Sequence, residues 1–182
     1  MQENQRVRLS KRMSKVLRHA PGSVGLTLDA HGWVAVDDLL AALSSHGPPV
    51  TRAMLDEVVR LNDKRRFAVD ETGTRIRASQ GHSVEVDLQL TPVQAPALLF
   101  HGTVEHSLRS IRNEGLRPMR RHHVHLSGDR STAARVGARR GKPVVLEIDA
   151  AAMTSDGYVF FRSDNGVWLT ASVPPRYLRI PH

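Results

Sequence analysis

The segment Thr91–Pro96 carries two prolines and no hydrophobic periodicity, and the apolar pattern differs on its two sides. Before it, apolar residues recur at helical spacing. After it, they come in short runs. Proline is excluded from helix interiors and from central strands, so neither kind of element runs through this stretch. It reads as a linker, dividing the chain into lobes over residues 1–90 and 97–182. A chain of 182 residues suits one large domain or two small lobes with real cores.

The first half reads as three helices and a hairpin. Residues Val7–Arg18 place Leu9, Met13, Val16 and Leu17 on one helical face, with Arg8, Lys11, Arg12, Lys15 and Arg18 largely opposite. Pro21 and Gly22 end this helix. A short extended piece, Trp33–Val36, leads into a second helix with Asp37 and Asp38 in its first turn, where carboxylates favour the helix dipole. Thr51 is placed to N-cap a third helix running to about Asn62. Arg66–Val69 and Thr74–Ala78 flank Asp70-Glu71-Thr72-Gly73, which reads as a hairpin turn. Three helices followed by a two-stranded wing predict a winged-helix lobe.

In the second half, Ala97–Phe100, Val124–Leu126, Val144–Ile148, Tyr158–Phe161, Val167–Leu169 and Tyr177–Ile180 read as strands, with helices over Val104–Asn113 and Ser131–Ala138. These helices are too few and too early to cover both faces of a parallel sheet. The expected class is therefore α+β, with a largely antiparallel second lobe.

Charge narrows the partners. The net charge is +8, carried almost wholly by arginine. From Arg109 to Lys142 ten cations face only Glu114 and Asp129, and the acid-free run Arg6–Arg18 holds six more cations. Such fields attract polyanions, either nucleic acid or a phosphorylated ligand. There is no cysteine, so disulfides and thiolate metal sites are excluded. Met1–Ser10 is polar and no later stretch is long enough to span a bilayer, which leads us to expect a cytoplasmic protein without membrane association.

No Walker A loop, GxGxxG turn or GxSxG elbow is present. His123 and His125 would share a strand face, as zinc ligands can, but Arg120 and Arg121 beside them repel a cation, and no metal is expected. Four local motifs remain: Arg18-His19 closing the first helix, Asp63-Lys64-Arg65-Arg66-Phe67 entering the wing, His101-Gly102-Thr103 at a strand-to-helix turn, and Met119-Arg120-Arg121-His122-His123-Val124-His125 entering a strand. Singly, each has a plain structural reading: dipole-complementing cations at a helix end, a surface charge, a turn residue.

Together these motifs resemble one family. Leu9-Ser10-Lys11, Leu17-Arg18-His19, Gly25-Leu26-x-Leu28-Asp29, Asn62-Asp63-Lys64-x-Arg66-Phe67, Ile76-Arg77-Ala78-x-Gln80-Gly81-His82-Ser83, His101-Gly102-Thr103, Met119-x-Arg121-x-His123-Val124-His125-Leu126 and Asn165-Gly166-Val167-Trp168-Leu169 stand in the order of the RNA 2′-phosphotransferases of the Tpt1/KptA family. The match runs from Leu9 to about Tyr177.

The resemblance implies a winged-helix RNA lobe and a lobe of the ADP-ribosyltransferase fold, acting on RNA with a 2′-phosphate, as in tRNA processing, with NAD as co-substrate. It implies two steps. The RNA 2′-phosphate attacks C1″ of the nicotinamide ribose and expels nicotinamide; ribose O2″ then attacks that phosphate, giving 2′-OH RNA and ADP-ribose 1″,2″-cyclic phosphate.

By resemblance, Arg18, Arg66 and Arg121 are the phosphate clamp, whose guanidinium forks suit phosphate oxygens. His19 either orients the phosphate or moves a proton at O2″. Arg65 and Arg120 are the nearest competitors for the clamp. His101, Gly102 and Thr103 match the NAD-binding turn, with the bare Gly102 backbone admitting nicotinamide. Ser127 and Asn165 are candidates for nucleotide or structural contacts. Gln80-Gly81-His82-Ser83 either touches RNA or orders a turn. With residues from both lobes in the clamp, the site is expected in the cleft between them. No obligate protein partner is implied. The alternatives are ADP-ribosylation of terminal nucleic-acid phosphates and a non-catalytic winged-helix nucleic-acid-binding protein.

Overall fold

The structure is a computed structural model that describes residues 1–62 and 65–181. Asp63 and Lys64, in the motif before Phe67, and His182, the end of the second expected lobe, lie outside the described residues. The chain forms two compact units, Met1–Gln89 and Leu90–His182, each with its own apolar core.

In the first unit, α1 (Glu3–Arg18) buries Leu9, Met13, Val16 and Leu17, the stripe that sequence periodicity marks. It starts four residues before Val7. Residues 3–6 are polar and give no amphipathic signal, but Glu57 draws that end in through the Met1 amino group (3.2 Å) and Arg6 (3.9 Å). A 3₁₀ turn over Pro21–Val24 follows, then β1 (Val34–Ala35) and α2 (Val36–Ser45). In α3 (Arg52–Arg60) Thr51 is the N-cap, its hydroxyl accepting from the Met54 N–H at 3.3 Å. The hairpin of β2 (Phe67–Val69) and β3 (Arg75–Ala78) turns where expected, with Asp70 Oδ1 accepting from the N–H groups of Thr74 (2.9 Å) and Arg75 (3.0 Å). β1 joins it, giving an antiparallel sheet of order β1-β3-β2.

The second unit holds two three-stranded antiparallel sheets. One has the order β4-β6-β9, from β4 (Leu98–Val104), β6 (Pro143–Asp149) and β9 (Leu178–Arg179). The other has the order β5-β8-β7, from β5 (Val124–Leu126), β7 (Phe160–Arg162) and β8 (Trp168–Thr170). Phe100 and Ser127 exchange backbone hydrogen bonds of 2.9 and 2.7 Å and so tie β4 to the end of β5. The helices are α4 (Leu108–Glu114), α5 (Arg130–Gly137) and α6 (Ala150–Ser155), the last two N-capped by Asp129 and Asp149. The protein is thus mixed α+β with antiparallel sheets.

Three expectations change. His101-Gly102-Thr103 is not at a strand-to-helix turn but inside β4, which pairs with β6 from Leu98↔Asp149 to Val104↔Pro143. Strand pairing of that length overrides the low strand propensity of glycine. The helix expected from Val104 begins only at Leu108, after a 3₁₀ turn over Glu105–Ser107. Thr91–Pro96 does not run free, since Val93 donates to the Phe160 carbonyl at 2.9 Å and Pro92 bridges Phe161. No helix among the described residues is long and apolar enough to cross a membrane.

Candidate active site

Three of the expected clamp residues lie together in the first unit. Arg18 ends α1 and His19 caps it. The Arg18 carbonyl accepts from the N–H groups of Ser83 (2.9 Å) and Val84 (3.4 Å), and His19 Nδ1 lies 2.9 Å from Ser83 Oγ. Gln80-Gly81-His82-Ser83 thus has a structural partner at the end of α1. The Arg18 guanidinium donates to the Arg66 carbonyl, and Arg66 donates to Asn62 Oδ1, both at 3.4 Å. Arg65, just before, has φ +40°, a left-handed conformation costly for a residue with a Cβ. Buried Ser79 holds it: its hydroxyl donates to the Arg65 carbonyl at 2.8 Å and its N–H to the Arg66 carbonyl at 2.9 Å.

The result is a pocket of about 550 Å³ whose lining includes Arg18, His19, Asn62 and Arg66, but not Arg65. Further up α1, Lys11 and Lys15 line it too. Cations from one helix and one loop therefore face a single cavity, which concentrates positive potential there.

Arg121, His101, Gly102, Thr103, Ser127 and Asn165 belong to the second unit. His101 Nδ1 lies 3.0 Å from the His125 carbonyl. A carbonyl only accepts, so Nδ1 carries the proton. Burial pushes the His101 pKa below 6.5, the charge of Arg140 adds to this, and the bond to His125 opposes it. The ring is neutral at physiological pH and presents Nε2 as an acceptor. The ring of His125 faces Arg121, with Nδ1 3.4 Å from the guanidinium. Desolvation and Arg140 lower the Arg121 pKa, although a guanidinium stays charged in water. His125 therefore connects the expected cofactor residue His101 to the expected clamp residue Arg121.

Gly102 has a packing reason beside the one its motif suggests. A Cβ there would stand 1.8 Å from the Ala133 carbonyl oxygen and 2.8 Å from the Gly137 nitrogen, so the space is filled by α5. Thr103 is buried and pairs with Val144. Ser127 sits opposite Phe100, next to His101 in sequence. Asn165 Oδ1 accepts from Ser163 Oγ at 2.6 Å inside the β7–β8 turn, which gives it a structural role. His123 packs edge-on to Phe161, with ring centroids 5.5 Å apart. Among the described residues no three His, Asp or Glu side chains are grouped to hold a metal.

The model of the RNA 2′-phosphotransferase family, Tpt1 / KptA, matches residues 4–172. The chain belongs to this family. A probable RNA 2′-phosphotransferase of Streptomyces coelicolor is 62% identical over 181 residues, covering 100% of this chain and 98% of that protein. One from Trichormus variabilis is 54% identical over 180 residues, with 99% of each chain covered. One from Burkholderia pseudomallei is 53% identical over 174 residues, with 96% of this chain and 95% of that protein covered.

The family motifs contain several residues to which sequence reasoning gave no separate role. Asn62, Ser83 and His125 stand in the quoted motifs, and each contacts an expected site residue. Ser79 and Arg140 carried no such signal, because their parts depend on a loop conformation and on a field.

Proposed function

We propose that the chain carries out the reaction of its family, NAD-dependent removal of an internal 2′-phosphate from RNA, with Arg18, His19, Arg66 and Arg121 as the phosphate grip. RNA 2′-phosphotransferases of this family use NAD as co-substrate, and the chain is such an enzyme. The observation that carries the residue assignment is the lining of one cavity by Arg18, His19 and Arg66. In this reading the first unit is the winged-helix RNA lobe and the second the ADP-ribosyltransferase-like lobe, and the enzyme works in the cytoplasm.

The chemistry asks for positioning first and charge neutralisation second. The 2′-phosphate is already an anionic nucleophile, so no base is required for its attack on C1″. Holding its oxygens on guanidinium forks turns the encounter into an oriented, effectively intramolecular one. Nicotinamide departs with the electrons of the glycosidic bond. In the second step O2″ attacks phosphorus and loses its proton, while the RNA 2′-oxygen leaves and gains one. Arg18, Arg66 and Arg121 counter the negative charge that builds on the crowded phosphate. His19, held by Ser83, orients the phosphate or serves the proton movement at O2″. Neutral His101 would accept a hydrogen bond from an NAD ribose hydroxyl through Nε2, and Ser127, bridged to Phe100 beside it, would be a second polar group for the nucleotide.

The test is incubation with NAD and an RNA oligonucleotide carrying one internal 2′-phosphate. Release of nicotinamide together with 2′-OH RNA is expected. If neither forms, the proposal fails; nicotinamide release with a stable ADP-ribosylated RNA would mean that only the first step is performed.

A further inference from the structure

The phosphate pocket does not end at Arg18. Its lining continues along α1 through Lys15, Ser14, Lys11, Ser10 and Val7. These positions form one helical stripe, opposite the buried stripe of Leu9, Met13 and Val16. At 1.5 Å per residue, Lys15 lies about 4.5 Å and Lys11 about 10.5 Å along the axis from Arg18. That spacing suits a chain of phosphates better than a single anion.

The charges along the groove are not equivalent. Arg6 lies 3.9 Å from Glu57, a carboxylate it shares with the Met1 amino group at 3.2 Å, and Glu3 adds a negative charge to the same end of the lining. Lys11 and Lys15 are exposed, and neither has an ion-pair partner among the described residues. The groove also offers apolar surface. Val7 is 45% and Leu61 40% exposed, and both line the pocket. Cations beside exposed apolar side chains fit single-stranded nucleic acid, which brings backbone phosphates together with sugars and bases.

We propose that the α1 groove binds the backbone phosphates of nucleotides flanking the 2′-phosphorylated one, with Lys11 and Lys15 as the contacting cations. The proposal rests on the reading of Arg18, His19 and Arg66 as the 2′-phosphate grip. Lys11 and Lys15 then set how much of the RNA beyond the modified nucleotide is recognised.

The experiment compares the full chain with its Lys11→Gln/Lys15→Gln variant on two substrates, a 2′-phosphorylated hexanucleotide and a 2′-phosphorylated dinucleotide with a single phosphodiester. The ratio of kcat/KM for hexanucleotide over dinucleotide should fall by about an order of magnitude at low salt. Loss of two single-strand phosphate contacts should also flatten the dependence of log Kd on log salt for the hexanucleotide by about 1.4. This equals a roughly sevenfold smaller loss of affinity between 50 and 200 mM salt. An Arg109→Gln/Arg112→Gln variant, changing the same charge on α4, should move the ratio less. An unchanged ratio with an unchanged salt slope overturns the proposal, as does an equal loss with both variants. If the unmodified protein releases nicotinamide with neither RNA, the catalytic reading fails, and the salt slope still decides whether the groove tracks phosphates.

Discussion

Replacing Gly102 with alanine separates two explanations for one glycine. The added Cβ would meet the Ala133 carbonyl oxygen at 1.8 Å, about 1.6 Å short of ordinary contact at 3.4 Å, and the Ala133 carbon at 2.7 Å. These are backbone atoms, so no rotamer change relieves the clash. Either α5 lifts from β4 or β4 leaves its register with β6. Overpacking of this kind costs about 1–3 kcal/mol and more where backbone must move, so a loss of about 3 kcal/mol is expected. In a unit of this size that lowers Tm by roughly 12–24 °C. Gly137→Ala should follow it, because its Cβ would lie 2.8 Å from the Thr103 carbonyl oxygen. Gly128→Ala, whose nearest neighbour is the Trp168 ring at 3.5 Å, should be close to neutral. The assay is denaturant and thermal unfolding of the three variants alongside the KM for NAD. If Gly102→Ala unfolds like the unmodified protein while its KM for NAD rises sharply, the packing argument is refuted and the glycine serves cofactor approach instead.

Arg66→Ala or Arg121→Ala should slow release of 2′-OH RNA about 10²–10³-fold, with ADP-ribosylated RNA building up if the second step suffers more; full activity in either would remove that residue from the grip. Burial holds the His101 pKa below 6.5, so the unfolded chain takes up a proton that the folded chain refuses. Stability should therefore fall as pH drops below about 6.5, level off under the folded pKa and be insensitive to this group above 6.5. Thermal melts between pH 8 and 5 should show a shallower slope for His101→Asn, with half-buried His123, whose pKa desolvation also lowers, supplying the remainder. Thr51→Ala should cost about 1 kcal/mol in unfolding experiments through loss of the α3 cap, and an unchanged Tm would show the cap to be replaceable.

The sequence made α1, α3 and the hairpin legible because each has a local cause: an apolar stripe, a capping threonine, and a turn whose aspartate binds its own backbone. β4 was legible only in part. Its extension through His101-Gly102-Thr103 depends on a partner strand more than forty residues away in sequence, and no local pattern encodes that. α6 is six residues long, too short for a periodic signal. At the site, the motifs named the residues but not the arrangement that makes them neighbours. The left-handed turn at Arg65, the Ser79 bonds that stabilise it, and the link from His101 through His125 to Arg121 all arise from tertiary contacts.

The bridge between Phe100 and Ser127 has a consequence for the strand beside it. Because Phe100 spends its N–H and C=O on Ser127, its pairing with Glu147 on β6 is of the non-hydrogen-bonded kind, and two residues on, Gly102 opposite Val145 repeats that orientation. The Gly102 peptide groups therefore turn toward the same edge of β4 as Phe100, where, among the described residues, no strand pairs with them. Such an edge is a template for any group offering one donor and one acceptor side by side. In the proposed reaction the carboxamide of nicotinamide has that form.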